Sequence, residues 1–151
     1  MKKNITLYLI ILFTLTLSHH TAYSGKDEGL KKLQTWLKSL KKNYTIQELK
    51  KLKKLDLMNN QFKRLPKEIG NLKALTKLYL KGNHLKTLPK EIGNLKALTK
   101  LNLYDNQLKT LPKEIGNLKA LTLLLLGGNP LSDKEKEKIK KLLPKCYIFF
   151  D

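Results

Sequence analysis

The sequence predicts an α/β solenoid whose short strands form one parallel sheet, and three observations carry that expectation. Residues 75–97 (LTKLYLKGNHLKTLPKEIGNLKA) and 98–120 (LTKLNLYDNQLKTLPKEIGNLKA) differ at only four of 23 positions, and the same frame fills 52–74 and restarts at Leu121. A fixed period of this size marks a stack of supersecondary units, none of which buries its apolar side alone. Each unit contains Leu-x-Leu, an alternation that sends both leucines to one side of a strand and their neighbours to the other. Each then returns through Leu-Pro-x-x-Ile-Gly-Asn-Leu, where proline, lacking a donor, suits a wall that is not a strand.

In chain order, residues 1–24 read as a cleaved signal peptide. Lys2 and Lys3 are the basic start, Ile5 to Leu17 the apolar run, and Ala22 and Ser24 the small residues that place cleavage before Gly25. The thirteen residues of that run reach about 20 Å as a helix, short of the roughly 30 Å of a hydrocarbon core. Export across the inner membrane is therefore expected, ending in the periplasm, at the surface or in the medium. Residues 25–51 read as an N-terminal cap helix and a half repeat. Leu30, Leu33, Leu37 and Leu40 recur at helical spacing among lysines, with Trp36 at the stripe's margin. Thr45 and Glu48 have capping-box spacing before one short helical turn.

Four repeats follow over 52–131 (52–74, 75–97, 98–120 and the partial 121–131), carrying L-x-x-L-x-L-x-x-N-x-L with Phe62 at the last position of the first. Leu52, Leu55, Leu57 and Asn60 carry the pattern in the first, Leu75, Leu78, Leu80 and Asn83 in the second. Leu98, Leu101, Leu103 and Asn106, then Leu121, Leu124, Leu126 and Asn129, complete it. On these residues the chain resembles the leucine-rich repeat family, in the bacterial 23-residue form bearing L-P-x-x-I-G-N-L that is common in secreted and envelope proteins of spirochaetes. The resemblance implies a curved parallel β-sheet on a concave face and a convex outer wall. Asn60, Asn83, Asn106 and Asn129 are expected to form a structural ladder, because a buried amide must find backbone partners. Gly70, Gly93 and Gly116, each before Asn, are expected to make the sharp turn back to the next strand. Residues 132–151 read as a helix-plus-strand cap. Ser132 and Glu135 have capping-box spacing, Pro144 stops the helix, and Cys146, Ile148 and Phe150 alternate inward on a last strand.

Chemistry is sparse. Beyond the signal the single histidine is His84 and the serines are Ser39 and Ser132, in the two caps. No nucleophile–base arrangement can be assembled from those positions, so no catalytic residue, cofactor or metal ligand is expected. The lone Cys146 excludes an internal disulfide and is expected to be buried.

Function is therefore sought on the strand face. Its outward residues include Lys54, Asp56, Lys77, Tyr79, Lys81, Lys100, Asn102, Tyr104, Leu123 and Leu125. Three of the four differences between the second and third repeats fall on this face, at 79/102, 81/104 and 82/105, which points to a lining diversified for a partner. Lys54, Lys77 and Lys100 form a row of like charges, and Leu123 and Leu125 an apolar end beside it. A protein partner, host or envelope in kind by family analogy, is the expected ligand, on a monomer or an edge-strand dimer. The alternative is contact with acidic glycans or lipid surfaces. Without Lys2 and Lys3 the chain has 29 basic against 12 acidic residues, a net +17, and the wall lysines Lys67, Lys73, Lys90, Lys96, Lys113 and Lys119 would carry that contact. No specific nucleic-acid recognition is expected.

Overall fold

Five three-residue strands, β1 (Lys54–Asp56), β2 (Lys77–Tyr79), β3 (Lys100–Asn102), β4 (Leu123–Leu125) and β5 (Tyr147–Phe149), align in chain order as one parallel sheet. The computed structural model describes residues 27–151, so the signal read at 1–24 lies outside the described residues. Register follows the repeat: Leu55 faces Leu78, then Leu101, Leu124 and Ile148. Leu55, Leu57, Leu78, Leu80, Leu101, Leu103 and Leu124 are wholly buried. Each is worth roughly 1.5–3 kcal/mol, which is how stacked coils outweigh the ordering entropy that one coil cannot.

The return path of each full repeat is a 3-10 helix, at Lys67–Asn71, Lys90–Asn94 and Lys113–Asn117. Each begins after a proline whose carbonyl accepts the isoleucine N–H, at 3.0–3.1 Å. Ile69, Ile92 and Ile115 point inward and are wholly buried. Helical segments pack wider than the 4.7–4.9 Å between strands, so the strand side is the inner side of the curve.

The glycines of these segments do not turn the chain. Gly70 and Gly93 lie inside the 3-10 helices and are buried, whereas the positive-φ glycines are Gly82 and Gly128. A methyl group on Gly70 would run into the Glu91 carbonyl of the next coil, and one on Gly93 into that of Glu114. Glycine is needed there because two backbones touch.

The caps close both ends. Helix α1 covers residues 27–39 and buries Leu30, Leu33 and Leu37. Its Trp36 ring meets Phe62, the residue that stands where later repeats carry leucine, at 5.1 Å between centroids. Asp27 of α1 holds Lys50 of α2 (Ile46–Lys51) at 2.8 Å. Thr45 and Glu48 form the full capping box of α2, and the Thr45 N–H holds the Glu48 carboxyl below its ordinary range. At the other end α3 (Asp133–Leu142) starts with only half a box. The Ser132 hydroxyl accepts the Glu135 N–H, but the Glu135 carboxylate instead accepts the buried N–H of Leu111 at 3.0 Å and pairs with Lys138. Leu111 presents a donor to an end where no further coil stacks, and a carboxylate meets it.

Asparagine stitches the coils. The Asn106 amide donates to the carbonyls of Leu103 in its own turn and Leu80 in the preceding coil, while its oxygen accepts the Leu85 N–H. Asn83 and Asn129 repeat the arrangement. Asn60 departs from it: with no full repeat before it, its amide donates to Met58, two residues away, and it stays half-buried. Replacing Asn106 with Ala strands the Leu85 N–H in the interior and leaves the Leu80 and Leu103 carbonyls one donor each, from Asn83 and Asn129; it is expected to cost about 1–3 kcal/mol, whereas Asn60→Ala should cost under about 1 kcal/mol. Urea denaturation of the two variants checks this; equal losses would show that the ladder does not run between coils.

Candidate functional site

The sheet presents its outward side chains as a grid, one row per strand. The first column is Lys54, Lys77, Lys100, Leu123 and Tyr147, and the second Asp56, Tyr79, Asn102, Leu125 and Phe149. Met58, Lys81, Tyr104 and Gly127 continue the rows just beyond the strands. All ten residues expected from sequence for partner contact lie on this face, and none is fully buried.

Several of them are already engaged by the fold. The Asp56 carboxylate accepts the Met58 N–H at 3.1 Å, and the Asn102 amide oxygen accepts the Tyr104 N–H at 3.0 Å. These side chains close the turn after the strand, so only part of their hydrogen-bonding capacity faces outward. The next column is governed by backbone. Asn59, Gly82, Asp105 and Gly128 all have positive φ, between 53° and 70°, and Asn, Asp and Gly are the residues that accept it. The Gly82/Asp105 difference between repeats therefore reflects a conformational constraint before any choice of partner.

The lysines do not stand apart as a repelling row. Lys54 and Lys100 lean from either side toward the Tyr79 ring, at 5.2 and 5.6 Å from its centroid. Lys81 covers Tyr104 at 4.9 Å and approaches Asp105 at 3.9 Å, the ion pair found on this face among the described residues. Such contacts fix aromatic rings under cations and are worth about 0.5–1 kcal/mol at exposed sites. Tyr104 also stacks on Phe149 at 6.3 Å and lies against Gly127, where any side chain would collide with its ring.

The C-terminal rows are apolar. Leu123 and Leu125 are half-buried rather than open, because β5 lies beside them in the sheet. That strand does not cover the patch but extends it: Tyr147 is 67% exposed and Phe149 38%. A set of hydroxyls escaped the sequence reading. Thr76, Thr99 and Thr122 donate to the carbonyls of Lys53, Thr76 and Thr99, a second ladder at the strand entrances. Its signal was three threonines at one repeat position.

Three clefts among the described residues lie elsewhere. Two, of about 510 and 440 Å³, flank Tyr44 at the N-terminal cap, and one of about 240 Å³ opens between α3 and the wall. Among the described residues no cluster of three His, Cys, Asp or Glu could hold a metal, and no helix is long and apolar enough to cross a membrane.

Comparison with known proteins agrees with this architecture. A family model described as a leucine-rich repeat region matches residues 32–143. A leucine-rich repeat protein of Leptospira interrogans is 57% identical over 66% of this chain, with a TM-score of 0.65. An internalin of Listeria monocytogenes is 26% identical over 66% of the chain, with a TM-score of 0.54. The functional domain of InlJ from the same organism, which includes a cysteine ladder, is 27% identical over 67%, with a TM-score of 0.55. The chain spans 25%, 30% and 20% of those three chains, respectively. No curated protein matches it.

The 240 Å³ cleft is lined by Leu118, Leu121, Leu142, Leu143 and Cys146, with Lys119 and Lys145 beside them. Cys146 was expected to be buried but is only half-covered, because it leads into the last strand, which has a neighbour on one side. Partial burial still pushes the thiol up to about 11, which disfavours the reactive thiolate. At pH 8 the native thiol should alkylate with iodoacetamide at least about tenfold more slowly than the urea-unfolded chain. Mass-spectrometric time courses check this; equal rates would mean the site is open.

Proposed function

The chain belongs to the leucine-rich repeat family, whose repeats serve as protein-interaction modules, and from that premise we propose that it is an exported, non-enzymatic module binding a protein partner on its concave strand face. Tyr79, Lys81, Tyr104, Leu123 and Leu125 are the contact residues in this reading, with Tyr147 and Phe149 extending the apolar end. Host and envelope proteins are the candidate partners. The observation that carries it is the apolar surface of Leu123, Leu125, Tyr147 and Phe149, left on a sheet whose other side is buried from β1 to β4 and half-buried at Ile148. Aromatic side chains grouped with apolar ones, rimmed by polar groups, are the composition of protein interfaces. Tyr104 sits at the junction, held by Lys81 on one side and Phe149 on the other, so it would enter an interface already ordered.

Contact with anionic glycans or lipid surfaces is the weaker reading. Lys67, Lys90 and Lys113 recur on the wall, and no ion pair among the described residues involves them. Lys73 and Lys96, however, donate to the carbonyls of Gly70 and Asn117 and are partly occupied. Charge on an open wall attracts polyanions without choosing among them.

The test is a pulldown from envelope and host-cell extracts with the wild-type protein and the Tyr104→Ala/Leu125→Ala double variant. Loss of the captured partner, by at least about tenfold in affinity, is expected while circular dichroism stays unchanged. Unaltered capture by a folded variant would refute concave-face binding. Capture that collapses between about 50 and 200 mM salt and ignores the double variant would favour the polyanion reading.

A further inference from the structure

We propose that the strand face takes an extended peptide segment in which a cluster of carboxylates lies about four residues from an aromatic or aliphatic anchor. The inference rests on the concave-face reading and adds the chemistry of the segment bound there.

Three lysines line the basic end. Lys54, Lys77 and Lys100 are in direct register on neighbouring strands, about 4.8 Å apart by strand spacing. Lys54 and Lys100 both lean over Tyr79, which concentrates their charge around one ring. Among the described residues no ion pair reaches any of the three. The neighbouring carboxylate, Asp56, is turned to its own backbone at Met58, and Asp105 is approached by Lys81 instead. Gathered like charges over an ordered ring form a site of positive potential for an anion.

The same column loses its charge within one strand. After Lys100 come Leu123 and Tyr147, and after Asn102 come Leu125 and Phe149. The face is therefore polar in the everyday sense: basic over β1 to β3 and apolar over β4 and β5. Lys77 and Tyr147 are three strand steps apart, about 14 Å, which an extended chain at about 3.3 Å per residue covers in roughly four residues. A sulfated glycan would satisfy the lysines and leave Leu125, Tyr147 and Phe149 in water. A purely apolar segment would do the reverse and bury uncompensated ammonium groups. A peptide carrying both kinds of side chain at that spacing matches the whole face, running across the strands with its acidic end toward the N-terminal cap.

The experiment is selection of a random dodecapeptide display library on the protein, followed by anisotropy measurements with the selected peptides. Selected sequences should pair acidic residues with an aromatic or aliphatic residue about four positions away. The Lys77→Glu/Lys100→Glu variant should weaken them by about tenfold or more, and Leu125→Asp by a similar factor. Replacing the peptide's carboxylates by amides should cost the wild type that factor and should instead strengthen binding to the lysine variant, whose glutamates repel carboxylates. A wall variant of equal charge change, Lys90→Glu/Lys113→Glu, should lose less than about twofold. Peptides selected without acidic bias, or equal losses in the wall variant, would overturn the proposal. Displacement by a heparin oligosaccharide with no effect of Leu125→Asp would replace it with a polyanion site. If binders lose affinity in Tyr104→Ala/Leu125→Ala but ignore the lysine variant, this inference alone falls. Binders that ignore both overturn the concave-face reading itself.

Discussion

No coil of this solenoid satisfies its own backbone. A three-residue strand offers too few partners locally, so each coil draws its hydrogen bonds from the next: Leu80 from Asn102, Gly82 from Tyr104, Leu103 from Leu125, Asp105 from Gly127. Because an unpaired buried N–H costs more than a paired one contributes, the stack holds only while every coil has a neighbour. What happens at the last coil is then decisive. Gly128 has no following carbonyl, and the Asp151 carboxylate accepts its N–H at 2.6 Å. Leu111 on the wall is met by Glu135 in the same manner. The Asp151 carboxylate thus takes the place that a next-coil carbonyl holds for Gly82 and Asp105, and among the described residues no buried side-chain polar atom is left without a partner.

That requirement sorts the strand face into occupied and available positions. Asn59, Gly82, Asp105 and Gly128 answer to a left-handed backbone, and Asp56 and Asn102 close turns. For the proposed partner site there remain the lysine column, Tyr79, Lys81 and Tyr104, and the apolar rows at the C-terminal end. These side chains stand on strands whose geometry is set from behind by packed leucines. A rigid platform loses little conformational entropy on binding, and the clefts at either end have no comparable supporting grid.

Much of this was legible in the chain because repetition exposes it. Leu-x-Leu at a fixed period requires a sheet in a single register. The Thr45–Glu48 box also reads directly, since both partners lie within four residues. The errors have a common source. Gly70 and Gly93 were read as turn residues, yet the atom that excludes a side chain belongs to a glutamate 21 residues later. Asn60 matches its counterparts in sequence and differs only in lacking a coil to reach back to. Glu135 has capping-box spacing, but a buried donor on Leu111 outbids its own helix. Cys146 leads into a strand that has a neighbour on one side only.

Sequence alone determined the period, the inward leucines, the helical caps and the separation of a packed side from a lining side, because those depend on spacing along the chain and on hydrophobic burial. Tertiary structure alone decided which lining residues are free, which glycines touch a neighbour's backbone, where lysines settle on tyrosine rings, and how the last coil ends. Those outcomes depend on atoms about one repeat away, whose direction and distance are set only when the coils stack.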